Sequence, residues 1–254
     1  MNQQPSQPGR APEAIGSTGW QRAIAHRVGT HMLLKAASTV IGIALFFAAY
    51  FWVLRHPIGQ VTTMPVLALD RWLGFEFGAM PLYLSLWVYV SLGPALLTQR
   101  PALLAYGLAC AAIAAVGLTL FLLWPTKVPP LTAVIAAEVA AHPGMAVLRE
   151  VDMSGNACPS LHVAFAVFAA AGLARELRAI GAPRWLRVLS ALWCAGIVYS
   201  TLATRQHVVL DVLAGALLGA AVALLHAGWE RGSVRRAALA KALPIQVRSA
   251  VGEP

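Results

Sequence analysis

Apolar positions along this chain gather into long blocks, with polar residues confined to the stretches between them. A helix needs about 20 apolar residues to cross a bilayer. On that measure the pattern predicts six spans, at 33–54, 81–99, 102–124, 161–180, 185–204 and 207–228. The second is interrupted by Pro94 and preceded by Asp70, Arg71 and Glu76. Tryptophans fall at the block edges as interfacial belts do, with Trp52, Trp72 and Trp124 on one side and Trp20, Trp185 and Trp229 on the other. Gly215 and Gly219 place a GxxxG helix-packing pattern in the last block. The expectation is an all-α, polytopic membrane protein built as a six-transmembrane-helix bundle. Its membrane-embedded unit is placed at 31–230, between a disordered tail at 1–30, rich in Gln, Pro, Gly and Arg, and a basic tail at 231–254. The first block is too long and too far from the terminus for a cleaved signal peptide, so it reads as a retained anchor.

One connection departs from a simple bundle. Residues 125–160 contain WPTKVPP, a short helix expected near 131–141, then HPG and SGNACPS. Loops of this length are usually functional or disordered.

Composition strengthens the membrane reading. Hydrophobic residues make up 59% of 254 positions and charged residues 11%, with a mean hydropathy of +0.68. A soluble domain needs roughly twice that charge. The formal charge of +9 is explained by where the basic residues sit. With the N-terminus inside, 14 Lys and Arg lie on inner segments and five (Arg55, Arg71, Lys127, Arg149 and Arg205) on outer ones. The positive-inside rule then puts both termini in the cytoplasm, and no nucleic-acid partner is implied. Together with the Ala-rich composition, this suggests a bacterial inner membrane with the 125–160 loop on the periplasmic side. Cys110, Cys158 and Cys194 are scattered and form neither a disulfide framework nor a CxxC metal pair.

Two clusters carry candidate chemistry, Cys158-Pro159-Ser160-Leu161-His162 and Arg205-Gln206-His207-Val208-Val209-Leu210-Asp211. Both open predicted spans at the outer surface. His207 and Asp211, four residues apart, share one helix face. Asp211 can then accept from Nδ1 of His207 and leave Nε2 free toward substrate. A lone interfacial His such as His31, His56 or His226 is usually structural. An i,i+4 His–Asp pair beside a second His and an Arg, at membrane depth, points to function.

The two clusters resemble those of the type 2 phosphatidic acid phosphatase superfamily. Its Pro-Ser-Gly-His motif is matched by Pro159-Ser160-Leu161-His162, with Leu161 in place of Gly. Its Ser-Arg-x5-His-x3-Asp motif is matched at Ser200, His207 and Asp211, with Thr201 where Arg is expected. The family's Lys-x6-Arg-Pro motif is missing, since Arg100-Pro101 has Gly93 at the Lys position. Pro-Ser-Leu-His, together with Pro125-Thr126-Lys127-Val128-Pro129-Pro130, is similar to the inositolphosphotransferase-like branch.

The resemblance implies a lipid phosphate substrate and a mechanism without metal or cofactor. His207 would attack phosphorus to form a phosphohistidine, with Asp211 orienting and charge-balancing it. His162 would protonate the leaving oxygen and then activate the incoming water or alcohol. Ser160 and the amides that open the fourth span would hold phosphate oxygens, with Arg205 and Lys127 supplying the missing cations. Water as acceptor makes the protein a phosphatase; an alcohol makes it a phosphotransferase. Two rivals stand beside this reading: a metal site formed by the two His and Asp211, and a non-catalytic lipid-binding or transport protein on the same scaffold.

Overall fold

The computed structural model describes residues 19–142 and 155–242. Residues 1–18, 143–154 (with Pro143, Gly144 and Arg149) and 243–254 therefore lie outside the described residues. Helices dominate: α1 (Gly19–Gly29), α2 (Met32–Arg55), α3 (Ala68–Trp72), α4 (Met80–Leu84), α5 (Leu86–Ala95), α6 (Arg100–Leu123), α7 (Ala133–Ala140), α8 (Leu161–Ala179), α9 (Arg184–Ala203) and α10 (Val209–Ala242). Two short parallel strands, β1 (Thr62–Thr63) and β2 (Thr126–Lys127), pair through Thr62–Thr126 and Thr63–Lys127.

Four of these helices are long and apolar enough to cross a membrane: α2, α6, α9 and the Val209–Ser233 part of α10. At 1.5 Å per residue the 24-residue α2 and α6 each extend about 36 Å. The two remaining expected spans take other forms. The block at 81–99 is divided at Ser85 into α4 and α5, where the Ser85 hydroxyl bonds the Leu82 carbonyl and receives the Trp193 indole N–H. The block at 161–180 is the single helix α8, whose last turns carry Arg175, Glu176 and Arg178.

At the centre lies α8, packed by α10, α9, α5 and α6. Its Val163, Ala164, Ala166 and Ala169 are fully buried, and three of these four are alanines that let neighbours approach closely. Gly181 ends it at a positive φ of 66°, the left-handed residue with which helices commonly stop.

The segment expected to be a disordered tail is partly helical. Distant partners hold α1 in place: Trp20 packs edge-on against Trp185 with ring centroids 6.3 Å apart, and Arg27 pairs with Glu176. The buried Lys35 ammonium donates to the carbonyls of Arg27, at 2.6 Å, and Ala95, at 2.8 Å. Those bonds tie α1, α2 and α5 together at one end of the bundle. At the other extreme of the chain, α10 continues past 230 into the expected basic tail, as far as Ala242.

The opposite end of the bundle gathers the close of α2 and α6 and the start of α8 and α10. Ile58 N–H donates to Leu122 O at 3.1 Å, and Thr62 N–H to Pro125 O at 2.9 Å. Exposed Trp52, Trp72 and Trp124 mark this end, while Trp185 and Trp229, also exposed, mark the other. Both candidate clusters sit at the first of these ends.

Candidate active site

Two helix N-termini, those of α8 and α10, meet here. Ser160 caps α8, its hydroxyl accepting from Val163 N–H at 3.3 Å, and its own N–H donates to the Asp211 carbonyl at 3.0 Å. The close approach depends on the two glycines of the GxxxG pattern. A Cβ at Gly215 would overlap the Ser160 carbonyl oxygen, and one at Gly219 would overlap that of Ala164. The two sequence clusters are thus joined backbone to backbone.

His207 and Asp211 lie one turn apart, as the spacing predicts, with Nδ1 3.6 Å from Oδ2. The two groups face each other just beyond hydrogen-bond distance. Asp211 is fully buried; Oδ2 accepts from Val208 N–H at 3.0 Å, and Oδ1 has no partner among the described residues. The turn before His207 is built on Thr201, whose carbonyl accepts from both Gln206 N–H, at 3.1 Å, and His207 N–H, at 3.0 Å. Thr201 is wholly buried, its hydroxyl donating to Val198 O at 2.8 Å. At the position of the family's missing lysine, a side chain at Gly93 would collide with Tyr106.

His162 stacks on Tyr83, with ring centroids 4.1 Å apart and planes 14° apart, and makes a hydrogen bond with the Tyr83 backbone. Its Nε2 is buried and lacks a partner among the described residues. His162 and His207 line a common cavity of about 140 Å³ with Asn156, Tyr50, Tyr83 and Trp87.

The other expected site residues are placed differently. Arg205 adopts a left-handed φ of 58°. Its guanidinium donates to the carbonyls of Asp70, at 2.8 Å, and Leu73, so it anchors a neighbouring turn and does not line the cavity. Lys127 is exposed on β2, also outside the lining. Ser160 is buried and occupied by the helix cap and the link to Asp211.

Three positioning residues lay outside the sequence expectation. The nearly buried Asp70 carboxylate accepts from Val209 N–H at the start of α10, and from Leu67 N–H, each at 2.8 Å. Thr126, fully buried, accepts from Cys158 N–H through Oγ1 at 2.7 Å, while its carbonyl accepts from Gly155 and Ala157 N–H, both at 3.1 Å. Asn156 donates to the Tyr50 hydroxyl. The hints in the sequence were an Asp beside Arg71 ahead of the second apolar block and a Thr inside WPTKVPP. Cys158, though central, is held protonated, since burial and then the Asp211 charge push its thiol up to about 11.

Among the described residues, no three His, Cys, Asp or Glu side chains group as metal ligands. The arrangement instead offers two imidazoles at a shared cavity, one backed by a buried carboxylate, a pairing suited to nucleophilic attack and proton transfer. The family model of the PAP2 superfamily matches residues 64–225, which spans both clusters, Asp70 and β2. No curated protein and no solved structure matches the chain.

Proposed function

The chain belongs to the PAP2 superfamily, whose activity is of the phosphatase or phosphotransferase type, and from that membership we propose that it is a membrane-embedded lipid phosphate phosphatase working through a phosphohistidine. The observation that carries the reading is His207 facing the buried Asp211 carboxylate at 3.6 Å while sharing a cavity with His162.

With Nδ1 turned to Asp211, Nε2 of His207 is the nitrogen that attacks phosphorus. The P–N bond forms as the bond to the leaving oxygen breaks, and His162 supplies the proton that the alkoxide takes. His162 then removes a proton from water, whose oxygen attacks the phosphohistidine and releases inorganic phosphate and free His207. Asp211 stabilises the imidazolium-like charge at each stage, as a carboxylate partner does in a catalytic triad. Arg205 and Lys127 take no part in these steps; Arg205 acts from behind, by holding the 70–73 turn against α10. With the basic residues distributed as they are, the site faces the outer leaflet and both termini are cytoplasmic.

Purified protein tested against a panel of lipid phosphates, with and without diol acceptors, checks this directly. Release of inorganic phosphate is expected. Transfer to the alcohol in preference to water would make the protein a phosphotransferase of the inositolphosphotransferase-like kind, and lipid binding with no turnover would leave only a non-catalytic scaffold.

A further inference from the structure

The two ring nitrogens of His162 stand in different surroundings. Nε2 is buried and lacks a partner among the described residues, so the nitrogen bonded to the Tyr83 backbone is Nδ1. Tyr83 lies in the last turn of α4, where a helix leaves its carbonyls to outside donors. An imidazole N–H that donates to such a carbonyl fixes the tautomer. Neutral His162 therefore carries its proton on Nδ1 and leaves Nε2 as the nitrogen that exchanges one. The Tyr83 ring, stacked on the imidazole at 4.1 Å and 14°, holds its plane as well.

What ends α4 beside that carbonyl is a polar contact from α9. The Ser85 hydroxyl donates back to Leu82 O at 2.7 Å, a kind of bond that bends helices. It accepts in turn from the Trp193 indole N–H at 2.8 Å. With a lone pair engaged by the indole, the hydroxyl proton is directed at Leu82. Two further contacts lie one turn to either side of Trp193. Before it, the Ser190 carbonyl accepts from the Tyr89 hydroxyl at 3.0 Å; after it, a Cβ at Gly196 would lie 3.4 Å from Leu82. Helix α9 thus grips α4 and α5 on both sides of the break, and Tyr83 is carried on the gripped turn.

We propose that Ser85 and Trp193 are positioning residues for His162: their bond sets the break that holds the Tyr83 carbonyl against Nδ1, so that every proton passes through Nε2. The inference rests on reading His162 as the acid and base of the phosphoryl centre. In the first step the Nε2–H gives its proton to the departing alkoxide. In the second, Nε2 takes a proton from the attacking water, and Nδ1–H stays on the Tyr83 carbonyl throughout. Without the break, a continuous helix would turn that carbonyl to the N–H of Trp87, four residues on. The imidazole would then be free to adopt the other tautomer, with Nε2 unable to accept.

Trp193→Phe and Ser85→Ala test this. The first deletes the indole N–H but keeps a ring to pack on Tyr89, 5.3 Å away; the second deletes the hydroxyl. Nitrogen NMR of histidine-labelled protein, purified in detergent, reads the tautomer directly, with the His162 signals assigned by their loss in His162→Ala. The wild type should show Nδ1 protonated and Nε2 bare, and both variants a mixture. Both should also lose on the order of tenfold in kcat on an alkyl phosphate, the scale of one hydrogen bond, with KM nearly unchanged. Nitrophenyl phosphate, whose leaving group needs no proton, should lose much less. Ser85→Thr, which keeps the hydroxyl, should restore both readouts. Tyr89→Phe, which cuts the neighbouring tie to Ser190, should leave the tautomer and the ratio between the two substrates as in the wild type. Equal losses on the two substrates, an unchanged tautomer in both variants, or failure of Ser85→Thr to restore it overturns the positioning role. A tautomer that shifts as expected, with no turnover of any ester by the wild type, would refute the enzymatic reading and leave the positioning of His162 standing.

Discussion

Gly215 is the position at which a single methyl group should cost the most activity. In Gly215→Ala the new Cβ falls inside the 3.0 Å limit from the Ser160 carbonyl oxygen, and lies 3.1 Å from its carbonyl carbon and 3.2 Å from its Cβ. Two of these three atoms are backbone, so no rotamer change relieves the overlap. Relief requires α10 to move away from α8 by on the order of 1 Å, and a misplacement of that size at a catalytic pair costs about 10²-fold in rate. The Ser160 N–H bond to Asp211 O, at 3.0 Å, lengthens with it. Alanine gains roughly 0.5–1 kcal/mol over glycine as a helix former, but overpacking typically costs about 1–3 kcal/mol, so the net effect on stability is a small loss. The assay is kcat for nitrophenyl phosphate alongside a thermal melt of the purified protein. Gly219→Ala makes a similar overlap with Ala164 O one turn further from the histidines; it should depress the melt comparably and kcat less. Gly42→Ala and Gly107→Ala, where a Cβ meets nothing within 4 Å, serve as controls. A Gly215→Ala protein whose kcat lies within threefold of wild type would show that the joint does not position the catalytic residues.

Asp70→Ala strips two partly buried amides of their acceptor; a lower melting temperature and a kcat loss with little change in KM are expected, with Asp70→Asn recovering part of both. Thr126→Val removes the acceptor for Cys158 N–H and should lower activity, while Thr126→Ser, which keeps the oxygen, should restore it. His207→Ala should abolish turnover and leave no acid-quenched phosphoenzyme. His162→Ala should lose about 10²–10⁴-fold on an alkyl ester, much less on nitrophenyl phosphate, and should accumulate phosphohistidine; phosphoenzyme in His207→Ala but not in His162→Ala would exchange their roles. Thiol labelling of intact cells should reach a cysteine at Ala133 and miss one at Ala182, and the opposite sidedness would move the site to the cytoplasm.

What the sequence revealed of the fold is what apolar composition alone determines. Four blocks became helices able to cross a membrane because lipid-facing and core-facing positions are both apolar, so no tertiary knowledge is needed to find them. Where a helix depends on distant partners, local composition misleads. The glycine-, arginine- and glutamine-bearing stretch at 19–29 looks like tail, and is helical because Trp20 and Arg27 find Trp185 and Glu176 about 150 residues on. Ser85 shows the same effect in reverse: a serine in an apolar run gives no warning that Trp193 will bond its hydroxyl at a break between helices.

The candidate site divides along the same line. His207 and Asp211 were legible because helical spacing alone puts them on one face, and His162 because its cluster resembles a known motif. Arg205 illustrates the limit of reasoning by charge. A cation beside a phosphoryl site reads as a phosphate ligand, yet residue 205 sits at a positive φ that turns its side chain back to the carbonyls of Asp70 and Leu73. Asp70 is the complement, a carboxylate that looked like an obstacle to a membrane span and proves to cap the N-terminus of α10. A buried acceptor there offsets the unpaired amide of Val209 and adds negative charge where the helix dipole is positive. Asp70 and Arg205 thus form one device across 135 residues of sequence: the arginine holds the turn, and the turn presents the aspartate to the helix that begins just after His207. A side chain at Gly93 would meet Tyr106, Thr201 is fully buried, and Arg205 has become part of the frame. The placement of α8 against α10 at Gly215 sets how Ser160 and Asp211 meet, and that is what the Gly215→Ala prediction tests.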